Sequence, residues 1–414
     1  DSVVDQTVSV TTTDDDVAGF TIVESDGSTE VAESGTTDTF TVVLDAQPAS
    51  DVVLTITSDD TGEATVNSPL TFTSANWDTP QTVTITGVDD NLVDGDQSST
   101  VTVVVDDANS DDDFDSVVDQ TVSVTTTDDD VAGFTIVESD GSTEVAESGT
   151  TDTFTVVLDA QPTSDVVLTV ASDDTGEATV NSPLTFTPAN WDTPQTITVT
   201  GVDDDIIDGT ATSTITISVV DASSNDDFDS VVDQTVSVTT TDDDVAGFTI
   251  VESDGSTEVA ESGTTDTFTV VLDAQPASDV VLTITSDDTG EATVTSTLTF
   301  TSANWDTAQT VTVAGVDESI IDGDQTSTIT VTIDDANSDN NFDSVADQTI
   351  SATTTDDDVP GFTIVESDGS TSVDESGTTD TFTIVLDAQP ASDVVLTISS
   401  NDTGETTTTG TLTF

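Results

Sequence analysis

The chain has 414 residues, of which 85 are Asp or Glu, and it contains no Lys, Arg, His, Cys, Met or Tyr. That composition removes the imidazole base, the thiol nucleophile and the Schiff-base amine, and with them the usual zinc, haem and iron–sulfur ligand sets. It also leaves no basic surface for phosphates or anionic lipid, so no enzyme activity and no nucleic-acid partner is expected.

High charge at modest hydropathy can mean disorder. Here, however, 33% of residues are apolar, and they recur in alternating Val, Ile, Leu, Phe and Thr runs, which is a strand pattern. No apolar run approaches the ~20 residues of a membrane helix, so no direct membrane insertion is expected in this segment. A formal charge of −85 with no internal cation needs counterions to compact. An extracellular or cell-surface setting rich in divalent cations is therefore expected.

The segment Asp1-Ser2-Val3-Val4-Asp5-Gln6 returns at Asp115 and Asp229, and as Asp-Ser-Val-Ala-Asp-Gln at Asp343, a spacing of 114 residues each time. That period suits an independent domain and is too long for a solenoid coil. Asp triplets at Asp14–Asp16, Asp128–Asp130, Asp242–Asp244 and Asp356–Asp358 each follow a Thr/Val strand and precede a Gly-Phe-Thr-Ile-Val strand. The expected boundaries lie at these triplets. Residues 1–16 would be the last strand of a preceding repeat, 17–130, 131–244 and 245–358 three whole repeats, and 359–414 the first half of a fourth. The chain is accordingly expected to be a window on a longer array.

In the first repeat seven strands are expected in chain order: Phe20–Glu24, Thr39–Leu44, Asp51–Thr57, Leu70–Phe72, Thr82–Thr86, Ser99–Val105 and Val117–Thr127. Thr at alternate positions suits a pleated face in contact with water. Turn residues such as Gln47-Pro48, Thr61-Gly62 and Asp94-Gly95 separate the runs. The fold class expected is all-β, a tandem array of seven-stranded antiparallel immunoglobulin-like sandwiches. Phe20, Phe40, Phe72, Trp77 and Phe114 are the expected core. The regular Trp77, Trp191 and Trp305 read as packing residues, not as a sugar platform.

Strand parity sends the first, third and fifth loops, and the end of the last strand, to one end of each repeat. In the first repeat that end collects Glu24, Asp26, Glu33, Asp59, Asp60, Glu63, Asp89, Asp90, Asp94, Asp96 and Asp128–Asp130. Bare carboxylates at such density repel. Calcium takes six to eight hard oxygen ligands from flexible loops, whereas magnesium prefers to keep several waters. The competing reading, a solvated acidic surface, is the better one for isolated acids such as Asp38 and Asp78. A carboxylate-pair glycosidase would need a cleft, and these acids recur at loop tips in every repeat. Asp90–Val101 is not an EF-hand loop, because Leu92 falls at a ligand position and Val101 replaces the final Glu.

Four motifs in a fixed order carry a resemblance. They are Val31-Ala32-Glu33-Ser34-Gly35, Leu70-Thr71-Phe72-Thr73-Ser74-Ala75-Asn76-Trp77, Val88-Asp89-Asp90-Asn91-Leu92-Val93-Asp94-Gly95-Asp96 and Thr126-Thr127-Asp128-Asp129-Asp130. The repeat resembles the Calx-β family and the repeats of giant bacterial or archaeal surface adhesins. The resemblance implies calcium ligands at Glu33, Asp89, Asp90, Asp94, Asp128, Asp129 and Asp130. In the second repeat it implies Glu147, Asp203, Asp204, Asp208, Asp242, Asp243 and Asp244. In the third it implies Glu261, Asp317, Glu318, Asp322, Asp356, Asp357 and Asp358. Asp94 departs from the family pattern, where Glu is usual, and has the shorter reach.

Two functions follow as expectations. One is a calcium-rigidified stalk or extender of a cell-surface adhesin. The other is a subunit of a self-assembling extracellular filament, sheath or surface layer. A module that itself binds a sugar or mineral ranks below both, because near-identical repeats suit it least. The expected partners are neighbouring repeats of the same or an identical chain, with calcium-bridged contacts between fibres. Isopeptide cross-links are excluded, since they need Lys. Asn401-Asp402-Thr403 is the one Asn-x-Ser/Thr sequon with x other than Pro.

Overall fold

The computed structural model describes residues 3–414. The chain divides into two compact units. One takes the chain up to Val145 together with Gly149–Val202 and Thr212–Thr240. The other takes Ala146–Ser148, Asp203–Ala211 and Thr241–Phe414.

In the first unit, residues 20–127 form ten strands. These are β1 (Phe20–Glu24), β2 (Thr29–Ala32), β3 (Thr37–Leu44), β4 (Val52–Ser58), β5 (Ala64–Val66), β6 (Leu70–Phe72), β7 (Gln81–Gly87), β8 (Leu92–Val93), β9 (Gln97–Val105) and β10 (Gln120–Thr127). One sheet runs β1-β3-β7-β5 and the other β2-β10-β9-β4-β6. Their facing sides follow from the two-residue period of a strand. Phe40, Val42 and Leu44 of β3 and Val83 and Ile85 of β7 are buried from one sheet. Leu54 and Ile56 of β4, Val101 and Val103 of β9 and Val122 and Val124 of β10 are buried from the other. Thr holds most of the intervening positions, among them Thr39, Thr41, Thr55, Thr57, Thr82, Thr84, Thr100 and Thr102. The result is an all-β, immunoglobulin-like sandwich.

The expectation of seven strands undercounts, for physical reasons. The chain leaves the first sheet after Glu24 and crosses to the second as β2, which pairs parallel with β10 (Val124 opposite Thr29, Thr126 opposite Val31). Only four residues long, with Thr29 and Val31 inward, β2 is too short to stand out as an alternating run. The three-residue β5 is likewise hidden beside its turn, and β8 pairs outside its own sandwich. The last strand starts at Gln120, not at Val117, because two short 3-10 turns, Asp107–Asn109 and Asp112–Phe114, lead into it and the Val117 amide bonds back to the Phe114 carbonyl. These turns bury Phe114. Phe20, Phe40 and Phe72 are buried as well, and Trp77 packs against the core from its edge.

Gln120 links the two sheets: its side-chain amide donates to the Phe20 carbonyl at 2.5 Å. Gln234 repeats the bond to Phe134, and Gln348 repeats it to Phe248 at 2.5 Å. Residues 134–238 rebuild the same core around Phe154, Phe186 and Phe228. In the second unit, residues 248–352 do so around Phe268, Phe300 and Phe342.

Residues 3–16 lie outside any strand, and Val8 and Val10 are exposed. Their sequence counterpart β10 is a strand because it lies between β2 and β9. Asp1 and Ser2, which begin the expected strand, lie outside the described residues. Residues 362–413 form two antiparallel pairs, Phe362–Glu366 with Phe382–Leu386 and Val395–Thr397 with Thr411–Thr413.

Candidate metal centre

The backbone carries the acids of the first repeat to one end. Glu33 follows β2, and its amide donates to the Thr127 carbonyl at 3.1 Å, which sets it beside Asp128. Glu63 precedes β5; its carbonyl accepts from the Val88 amide at 2.9 Å and from the Thr126 hydroxyl at 3.4 Å. Gly87 at the end of β7 allows this approach, since a Cβ there would lie 2.0 Å from the Ala32 carbonyl oxygen. The loop Val88–Asp96 then crosses the end of the sandwich, turning at Gly95, whose φ is +71°.

Glu33 is 1% exposed, and Glu33, Asp90 and Asp130 each bring a carboxylate oxygen within 4.8 Å of the others. Burial, followed by the charges of Asp128, Asp90, Glu63 and Asp94, raises the Glu33 carboxyl from its ordinary 4.5 to about 7. Burial and the Asp94 and Asp60 charges raise Glu63. Burial and the Asp128, Asp129, Asp90 and Asp89 charges raise Asp130. Burial also raises Asp94, against a lowering hydrogen bond from Gln97. Exposed Asp89 and Asp129 act on this cluster through their charge. Asp128 shapes the backbone as well, accepting from the Gly95 amide at 2.8 Å and, through its other oxygen, from the Asp130 amide at 2.8 Å.

In the second repeat buried Glu147 has Asp242 and Asp244 within the same 4.8 Å. Asp242 accepts from the Gly209 and Asp244 amides, both at 2.7 Å. Burial and the Asp242 and Asp205 charges raise Asp244. Asp203, Asp208 and Asp243 are exposed, and Asp204 is half-buried. In the third repeat Glu261, Glu291, Glu318 and Asp322 gather within 4.8 Å. Glu261 is fully buried and is raised to about 7 by burial, then by the Asp356, Glu291, Glu318 and Asp322 charges. Asp356 accepts from the Gly323 amide at 2.8 Å, and Asp317 and Asp357 face solvent.

The donor sets fit a hard divalent cation. Among the described residues, Glu33 Oε2, Glu63 Oε2 and Asp94 Oδ1 are buried without a hydrogen-bond partner, as are both carboxylate oxygens of Glu261, Glu291 Oε2, Glu318 Oε1 and Asp358 Oδ2. A buried, unpartnered carboxylate is costly, and the sequence holds no Lys, Arg or His to offset it. All donors are oxygens on loops, the set calcium takes.

Two residues change role. Glu63, with its counterpart Glu291, belongs beside Glu33, although the resemblance does not name it. The recurring Asp-Asp-Thr-Gly-Glu-Ala-Thr-Val at residues 59–66, 173–180 and 287–294 is the signal, a Glu fixed directly before the buried Ala64. Asp38 is not a solvated acid. It accepts from the Ser25 hydroxyl at 3.1 Å, the Glu30 amide at 3.0 Å and the Thr39 amide at 2.6 Å. Burial raises its carboxyl, but these bonds outweigh that and hold it below the usual range. Asp60 forms a turn, accepting from the Gly62 amide at 2.9 Å, and Asp59 ties its loop to β9, accepting from the Thr100 amide at 2.6 Å.

No protein-family model matches this sequence, and no curated protein does. Among solved structures the chain is similar to CBD12 from CALX1.2, at 17% identity and TM-score 0.21, covering 48% of this chain and 79% of that one. It is similar to the I-band fragment I67–I69 from titin, at 9% identity and TM-score 0.25, covering 83% and 97%. It is also similar to domains 4–9 of the surface layer protein SbsC, at 17% identity and TM-score 0.23, covering 85% and 49%. No helix among the described residues is long and apolar enough to cross a membrane.

Proposed function

We propose that this chain is an extracellular structural array whose repeats are stiffened by calcium, acting as the stalk or extender of a cell-surface adhesin. One observation carries the reading. Each of Glu33 and Glu261 is a buried carboxylate in a ring of other acids, in a chain with no cationic side chain. A cation that binds only the folded repeat converts that repulsion into stability. The ligands proposed are Glu33, Glu63, Asp90, Asp94, Asp128 and Asp130, with their counterparts in the later repeats. Repetition of one unit, with its chemistry at the repeat ends, suits reach better than recognition, since a ligand site usually sits on one specialised domain.

Imaging the purified chain in millimolar calcium tests this. Isolated particles one chain long support the stalk. Ordered filaments or tubes with a fixed lateral repeat would overturn it in favour of a self-assembling filament, sheath or surface layer.

A further inference from the structure

The loop that carries Asp90 and Asp94 also touches the following repeat. Between those two acids, Leu92 and Val93 pair in parallel with Gln161 and Pro162. The Gln161 amide donates to the Asn91 carbonyl at 2.7 Å. Val93 is 8% exposed and belongs to the core built around Phe154 and Phe186. The arrangement recurs in the second unit. Ile206 bridges to Gln275, the Gln275 amide donates to the Asp205 carbonyl at 2.7 Å, and Ile207 packs on the core around Phe268. Further on, Ile320 and Ile321 pair with Gln389 and Pro390, and the Gln389 amide donates to the Ser319 carbonyl at 2.5 Å.

The acids hold this strap in shape. Asp90 Oδ1 accepts from the Leu92 amide and Asp204 Oδ1 from the Ile206 amide, both at 2.7 Å. Asp128 accepts from the Asp94 and Gly95 amides at the strap's other end. The same carboxylates repel one another, so their spacing without a cation favours opening the loop that Val93 needs closed.

We propose that the strap couples cation binding to repeat docking: a divalent cation among Glu33, Asp90, Asp94 and Asp130 fixes Leu92–Val93 in the form that inserts Val93 into the next repeat. This rests on the calcium reading above and adds a defined mechanical output to it. Coupling is reciprocal, so docking in turn raises cation affinity. Gln47-Pro48 supplies an internal control. It has the same Asp-Ala-Gln-Pro surroundings as Gln161-Pro162, and it forms no strand pair among the described residues.

The test is amide hydrogen exchange of the whole chain, titrated from EDTA into calcium, with calorimetry of calcium binding alongside. Exchange at Gln161, Gln275 and Gln389 should slow about tenfold or more, with the midpoint of calcium binding, while Gln47 is unchanged. Val93→Ser, which removes no carboxylate, should move the midpoint at Gln161 to higher calcium and leave Gln275 and Gln389 in place. Calcium binding with no change at Gln161 would overturn the coupling and leave the calcium reading standing. A Val93→Ser midpoint equal to that of the parent chain would also overturn the coupling. No calcium binding at all would overturn both.

Discussion

The Glu33 amide donates to the Thr127 carbonyl at 3.1 Å, so the parallel pairing of β2 with β10 ends by placing a buried carboxylate against the Asp triplet. This one register joins fold to chemistry. Moving β2 by a residue would turn Glu33 to solvent and dissolve the cluster.

The first prediction concerns pH. Without divalent cations, Glu33 and Glu261 have folded-state carboxyls near 7 against an ordinary 4.5. The folded chain therefore binds more protons than the unfolded one between those values. Stability should be full below about pH 4.5, fall as pH rises to about 7 and level above it, by at most about 3 kcal/mol per site. Urea titrations in EDTA at pH 5 and pH 8 measure this, and greater stability at pH 8 would contradict it. Glu33→Gln should flatten part of the dependence.

A second prediction separates the acids by role. In EDTA, Asp38→Asn should destabilise the first repeat by about 1–2 kcal/mol, because its three donors lose a charged acceptor. Asp128→Asn combined with Asp130→Asn should cost less in EDTA and should remove calcium stabilisation of that repeat. Asp78→Asn, at an exposed position, should do neither. Differential scanning calorimetry with and without calcium reads all three.

The contrast between Asp38 and Asp78 shows how far the sequence could be read. Both are acids in Thr-rich surroundings, and neither lies in a motif. Asp38 acquires its bonds only because the chain doubles back between Ser25 and Thr39, a tertiary event with no local pattern. The long strands were legible because inward Phe40, Val42 and Leu44 recur at every second position, between Thr39, Thr41 and Val43. β2 and β8 were not, since each is shorter than a readable period and is held by partners distant in sequence. Glu63 was visible among the loop acids; its place beside Glu33 depends on Gly87 admitting the Ala32 backbone.

Thirdly, the Gln120 link predicts a loss without chemistry. Gln120→Ala should lower the first repeat's stability by about 1–2 kcal/mol, by leaving the Phe20 carbonyl unpaired. Phe72→Ala, at a fully buried site, should cost about 3–5 kcal/mol. Neither should change calcium affinity by more than the stability loss accounts for. A Gln120→Ala chain as stable as its parent would refute the link.

Fourthly, the junction after the first repeat and the junction after the second differ in charge at Asp227 and its counterpart Asn341. Asp227 adds its charge to those acting on Asp94, whereas Asn341, its counterpart, donates to the Ile207 carbonyl at 2.9 Å. Asp227→Asn should slow exchange at the Gln161 amide, and Asn341→Asp should speed it at Gln275. Opposite signs would show that charge at this position does not set docking.

Calcium dependence of the thermal midpoint tests the central claim most directly. At a hundredfold excess of calcium over Kd, each filled site adds about 2.7 kcal/mol to its repeat, which for a domain of this size raises the midpoint by roughly 10 °C or more. Calorimetry of the whole chain should show that rise in millimolar calcium, lost on adding EDTA and reduced in the Glu33→Gln and Glu261→Gln chains. Equal midpoints in calcium and in EDTA would contradict the account.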